Sequence, residues 1–188
     1  MEKEIESMWN YFLVLEDDMN NTARYVEPLG NETVCSFEFL KILILSCTEI
    51  ESIFKLICNE IDSTKSAGDI GAYKRAILGK YPKIVDAIVK VKRLGKNIKP
   101  FEGWNNGPLK WWDAYQHVKH NRGNYFQEAT YMNAVTALSA LYVLILYLSE
   151  IRNFEIESCF AKYIDSDYSI VWLVTTPPKK LPDFEVSP

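Results

Sequence analysis

The sequence predicts an all-α protein: a helical bundle of two long core helices, near Phe37–Ile61 and Gln127–Ile151, with shorter flanking helices. A small extended or β element is allowed near Tyr25 or Ile170. Three observations lead there. Apolar residues recur at i, i+3, i+4 and i+7 through most of the chain, the spacing of one buried helix face. Hydrophobic residues make up 48% and charged residues 24% of the 188 positions, the balance of a globular chain with a real core. Finally, Lys110–Leu148 sets a crowd of aromatic, cationic and imidazole side chains directly before an almost wholly apolar run, a candidate site followed by the beam that holds it.

The length fits one domain, taken as 1–175, with a Pro-rich tail over 176–188. The net charge of −4 gives no global basic field, so a nucleic-acid partner would need locally clustered cations. Cys35, Cys47, Cys58 and Cys159 contain no C-x-x-C pair. They read as reduced thiols, which with an N-terminus lacking a secretory signal points to the cytoplasm.

Glu2 to about Glu16 carries Ile5, Met8, Trp9, Phe12 and Leu15 on one stripe and reads as the first helix. Asp17–Asn21 is polar and poor for a helix interior, and Tyr25–Pro28 reads as extended because proline disfavours helix at the preceding residue. Ser36 is a suitable N-cap for Phe37–Ile61. In that helix Glu51 and Lys55 form an i, i+4 pair, whereas Glu49, amid apolar neighbours, is a candidate inward carboxylate. After a loop at Asp62–Asp69, Ile70–Leu78 is a short helix stopped by Gly79 and Pro82. Another helix is expected from Tyr81-Pro82, with Ile84, Val85, Ile88 and Val91 inward. At its end lies the densest basic run: Lys90, Lys92 and Arg93, with Lys96 and Lys99 beyond. Those cations either answer a helix C-terminus or contact phosphate.

Gly95–Pro108 is irregular and forms a candidate lid or binding loop in which Phe101 and Trp104 cover something, most simply the core. Leu109–Arg122 is the site helix, with Gly123 at its stop and Asn124 with Gln127 as the capping box of the next. Within that next helix Ala134–Leu148 is too short for a bilayer span and interrupted by Thr136 and Ser139, so a buried central helix is expected and no membrane partner. Ile170–Val174 is β-prone.

On a straight helix Tyr115, Lys119 and Arg122 share one face, and Asp113, His117 and His120 an adjoining one. An imidazole can take or give a proton near neutral pH, and a guanidinium can grip two phosphate oxygens. RNA is the natural substrate class, since its own 2′-hydroxyl can attack without a metal. Tyr115, Trp111 and Trp112 offer rings on which unpaired bases could stack. The competing reading is structural: cations near a helix C-terminus and an aromatic stripe in the core. His117 with His120 lacks an evident third metal ligand, and no cofactor-binding motif occurs, so neither a metal nor a cofactor is expected.

The run Trp112–Arg122 (WDAYQHVKHNR), then Phe126, Ala129 and Asn133, together with SFEF at Ser36–Phe39, CTEIE at Cys47–Glu51, Lys55, and PFEGW with Pro100, Phe101 and Trp104, resembles an uncharacterised bacterial family with a K-H-x-R signature. The resemblance covers about Tyr25 to Leu148. More distantly the chain is similar to the HEPN superfamily. That similarity implies a HEPN-like helical bundle, often a homodimer, working with partners in toxin–antitoxin, abortive-infection and other phage-defence systems, many members being metal-independent ribonucleases. The usual HEPN motif places His a few residues after Arg. Here the order is reversed, with His117 and His120 ahead of Arg122.

The first functional expectation is therefore a HEPN-like RNA-binding protein or endoribonuclease. His120 would be the acid/base, Arg122 the phosphate contact and Lys119 an added charge. Tyr115, His117, Trp112 and Trp104 would bind substrate, while Glu49, Glu51 and Lys55 would support them. The second is a non-catalytic interaction module with the same residues in a polar structural network. A third is a small-molecule pocket under the Gly95–Pro108 loop, lined by Trp104, Trp111 and Trp112.

Overall fold

The computed structural model describes residues 2–64, 68–154 and 181–184. The expected β-prone run Ile170–Val174, Cys159 and most of the Pro-rich segment lie outside them. Five α-helices dominate: α1 (Glu2–Thr22), α2 (Phe37–Ile61), α3 (Ile70–Lys80), α4 (Lys110–Tyr125) and α5 (Tyr131–Ile151). The chain between α3 and α4 carries a two-stranded hairpin, β1 (Val89–Val91) and β2 (Lys96–Ile98).

α2 and α5 form the centre and run parallel. Phe39 meets Tyr131 edge-on at one end, and Arg152, just past α5, reaches Glu60 near the end of α2. α1 runs antiparallel to both, as its ion pairs show: Asp18 with Lys41 at one end, Glu4 with Arg152 at the other. α4 is antiparallel to α2, with Tyr115 beside Glu51 and, just past α4, Phe126 against Phe37. α5 is apolar on every side and long enough to cross a membrane, but 83% of its apolar stretch is buried by the surrounding fold. A helix without a polar face needs cover all round, and α1, α2 and α4 supply much of it.

Ser36 caps α2, its hydroxyl accepting the Phe39 N–H, and the helix ends at Ile61 as the sequence predicts. Elsewhere the boundaries differ. α1 continues through Asp17–Asn21 because Met19 and Thr22 are buried against the core, and that packing outweighs weak local propensity. Tyr25–Pro28 is a turn rather than an extended segment, with the Tyr25 and Val26 N–H groups on the Thr22 carbonyl. Extended pairing occurs instead at Cys35 with Thr130, which ties the start of α2 to the start of α5. α3 runs past Gly79 to Lys80.

The helix expected from Tyr81-Pro82 is a single 3-10 turn, Pro82–Asp86, followed by the hairpin. β1 and β2 pair antiparallel as Val89 with Ile98, Lys90 with Asn97 and Val91 with Lys96. Gly95 closes the turn at φ +59°, a conformation that favours glycine. The 95–108 segment is a plug and not a lid. Phe101 and Trp104 are buried, Trp104 stacks on Phe54, and the Trp111 indole N–H donates to the Pro100 carbonyl at 2.7 Å.

α5 begins at Tyr131 and is capped by Thr130, not by Asn124. The Gln127 side chain bonds the Asn124 carbonyl, so no capping box forms there. Residues 181–184 dock on the bundle through buried Leu181, the stacking of Phe184 on Tyr81, and the Tyr147 hydroxyl donating to Asp183.

Candidate functional site

α4 presents its aromatic residues inward and its ionisable residues outward. Trp111, Trp112, Ala114, Tyr115 and Val118 are buried, the stripe expected of a helix packed along one face. The cations follow in the last turns, where the helix breaks. Asn121 sits at φ −148°, ψ 67°, outside helical geometry, and its side-chain oxygen accepts the Asn124 N–H at 3.4 Å. Asn121 thus ends one helical segment and caps the short turn after it. The sequence places a break at Gly123–Asn124. The signal for the true position was an asparagine, a weak helix former that bonds nearby backbone readily.

This break decides which residues meet. Tyr115 and Lys119, one turn apart, share a network with Glu51 of α2. The Tyr115 hydroxyl donates to Glu51 Oε1 at 3.0 Å, and the Lys119 ammonium donates to the Tyr115 hydroxyl at 2.8 Å. Lys119 also lies 3.4 Å from Glu51 Oε1 and 4.9 Å from the Tyr115 ring centroid. Burial raises the Tyr115 phenol above its ordinary range, against the opposing hydrogen bond from Lys119. That same bond holds the Lys119 ammonium above its own. Cys47 lies within the field of this network. Burial pushes its thiol well up, Glu51 adding and Lys119 opposing, so it stays a protonated core group.

His117 faces elsewhere. Its Nδ1 is 2.9 Å from Glu128 Oε2, and its ring stacks on Tyr125 with centroids 4.6 Å apart. Glu128 and Tyr125 are partners that sequence reasoning missed, because they become neighbours only through the turn that joins α4 to α5. His120 and Arg122 are exposed, and neither has a hydrogen-bond or ion-pair partner among the described residues. They flank Asn121, so the straight-helix spacing that aligned Arg122 with Tyr115 and Lys119 does not carry across the break.

The remaining expected site residues are dispersed. Trp104 and Trp112 are 1% and 5% exposed, packed against Phe54, and offer no free ring face to a base. With Trp111 they are packed into the core beneath the 95–108 loop. Lys55 is exposed and does not pair with Glu51, whose carboxylate is turned to α4. Glu49 does not join the cations of α4. Two residues apart on a helix point to different sides, and Glu49 lines a groove of about 440 Å³ against α1 with Glu4, Ser7, Met8, Tyr11 and Ser52. Burial raises its carboxyl above the usual range. Among the described residues no three His, Cys, Asp or Glu side chains are placed to share a metal ion.

The class this architecture defines is a mostly helical bundle with a polar network joining α2 to α4 and an exposed His–Arg pair beside it. No protein-family model matches the chain, and no curated protein or solved structure is significantly similar to it.

Proposed function

We propose that the protein is a HEPN-like RNA-binding protein whose His120 and Arg122 meet the phosphodiester, working as a metal-independent endoribonuclease where two copies bring their sites together. The observation that carries this reading is the division of labour on α4. Lys119 and His117 are each held by a carboxylate, whereas His120 and Arg122, on either side of the Asn121 break, are exposed and unpartnered among the described residues. Arg122 would bind two phosphate oxygens and stabilise charge as it develops. His120 would take the 2′-hydroxyl proton as O2′ bonds phosphorus. The P–O5′ bond then breaks, and the 5′-oxygen leaves with a proton from solvent. Glu51, Tyr115 and Lys119 act as the support that fixes α4, and Tyr115 is a positioning residue.

A second reading is a non-catalytic interaction module, in which α4's polar residues serve the fold and a partner protein covers the adjacent surface. It is favoured by the same Glu51–Tyr115–Lys119 network and by Phe37, 69% exposed and packed on Phe126 one turn beyond Arg122.

The deciding experiment is cleavage of labelled mixed RNA in EDTA by the wild type, His120→Ala and Arg122→Ala, with thermal melts of each. The expected result is 2′,3′-cyclic phosphate ends, lost in both variants at unchanged melting temperature. Absence of both cleavage and RNA binding in the wild type would overturn the RNA reading in favour of the interaction module.

A further inference from the structure

The basic run at Lys90–Lys99 is not where the sequence places it. It does not close an α-helix: Lys92–Leu94 is a single 3-10 turn at the hairpin tip. It decorates the β1–β2 hairpin. No acidic residue lies between Asp86 and Glu102, and five cations fall within that interval of a chain whose net charge is −4.

The hairpin fixes the direction of these charges. Val89, Val91, Leu94 and Ile98 are buried and pin both strands and the turn to the core. Lys90, Lys92, Arg93, Lys96 and Asn97 are exposed. Because Leu94 is anchored and Gly95 turns the chain in a left-handed conformation, Lys92 stands exposed at the tip, while Arg93 lies over the start of α5. Carboxylates engage part of the set: Glu32 binds Lys96, and Asp86 binds Lys99 at 3.3 Å. Lys90 and Lys92 have no ion-pair partner among the described residues.

The hairpin lies at the same end of the bundle as the His120–Arg122 pair. Arg93 lines a small crevice with Tyr131, the first residue of α5. The carbonyl of Glu32, the residue that binds Lys96, accepts the Met132 N–H. The short connection from Phe126 to Thr130 brings α4 directly to this same start of α5.

We propose that the β1–β2 hairpin is a second RNA-contacting element, a rigid cationic ribbon in which Lys90 and Lys92 grip the phosphate backbone of the strand presented to His120 and Arg122. This rests on the RNA reading above. Such contacts are independent of base sequence and act through release of counterions. They position a strand without reading it, which a site of two exposed side chains needs. Lysines on a two-stranded sheet can also serve only to block edge-to-edge pairing, and the test separates that role from RNA contact.

The full chain is titrated with labelled single-stranded RNA of mixed sequence across a series of salt concentrations. The double variant Lys90→Gln/Lys92→Gln is compared with Lys80→Gln/Lys110→Gln, which removes the same charge from exposed positions elsewhere. All are checked by thermal melt. The hairpin variant should bind about tenfold more weakly near 0.15 M salt, and its log–log salt slope should be shallower by about 1.4, the value for two lost single-strand contacts. The control should match wild type. If both double variants bind alike, the hairpin proposal falls while the RNA reading stands, and a hairpin variant that only aggregates more readily assigns the lysines to edge protection. If the wild type binds no RNA, both fall together.

Discussion

Tyr115 shows how one side chain can divide its loyalties. Its ring is core and its hydroxyl joins Glu51 to Lys119. Tyr115→Phe keeps the ring and removes only the bridge, so it should cost about 1 kcal/mol, seen in thermal melts as a fall of about 2–4 °C for a chain of this size. His120→Ala and Arg122→Ala should change stability by less than about 0.5 kcal/mol, since both are exposed and neither has a partner among the described residues to lose. Glu49 behaves oppositely to a salt-bridged carboxylate. Its folded-state carboxyl is raised by burial, so the folded chain holds that proton at pH values where the unfolded chain has released it. Stability contributed by this group is therefore greatest at low pH and declines as pH rises from the ordinary carboxylate range through the raised one. Glu49→Gln should melt slightly above wild type at pH 7, with the gap closing as the solution is acidified; a gap independent of pH would reject this account. The residue types of the candidate site were legible in the sequence, but their pairing was not. The sequence favours Glu49 as the inward carboxylate and gives Glu51 to Lys55, and only the rotation of α2 against α4 decides that Glu51 reaches Lys119 and Glu49 reaches α1.

The helices that sequence reasoning located best are those whose ends carry their own signal. α2 begins at a serine cap and keeps its apolar spacing to Ile61. The hairpin was misread because Ile84, Val85, Ile88 and Val91 suit a helical stripe as well as they suit buried strand positions, and short apolar runs are ambiguous between the two. Val89, Val91 and Gly95 were the better guide, as β-branched residues beside a turn glycine. The start of α5 was misplaced for a related reason. Both Asn124 and Thr130 can cap a helix, and tertiary pairing of Cys35 with Thr130 selects the second. Thr130→Ala should therefore cost about 1 kcal/mol in urea unfolding, whereas Asn124→Ala should be nearly neutral.

Across the molecule, α1, α2 and α5 are clasped at the end far from the hairpin by one residue. Arg152 is nearly buried and binds Glu4 at 2.7 Å and Glu60 at 2.8 Å. Its carboxylate partners are partly exposed, so Arg152→Ala should cost about 1–2 kcal/mol, less than a fully buried pair. Denaturant melts should show the loss without a change in cooperativity. The docked 181–184 segment acts at the same end. Deleting residues 181–188 leaves the Tyr147 hydroxyl without Asp183, and the melting temperature should fall. The all-round burial of α5 has a consequence for synthesis. On the ribosome, α1 and α2 emerge long before it, and chains fold from the N-terminus as they appear. The nascent protein thus has the cradle for its greasiest segment waiting when that segment arrives. A chain made without its first two helices would hand the targeting machinery a stretch that looks like a membrane anchor.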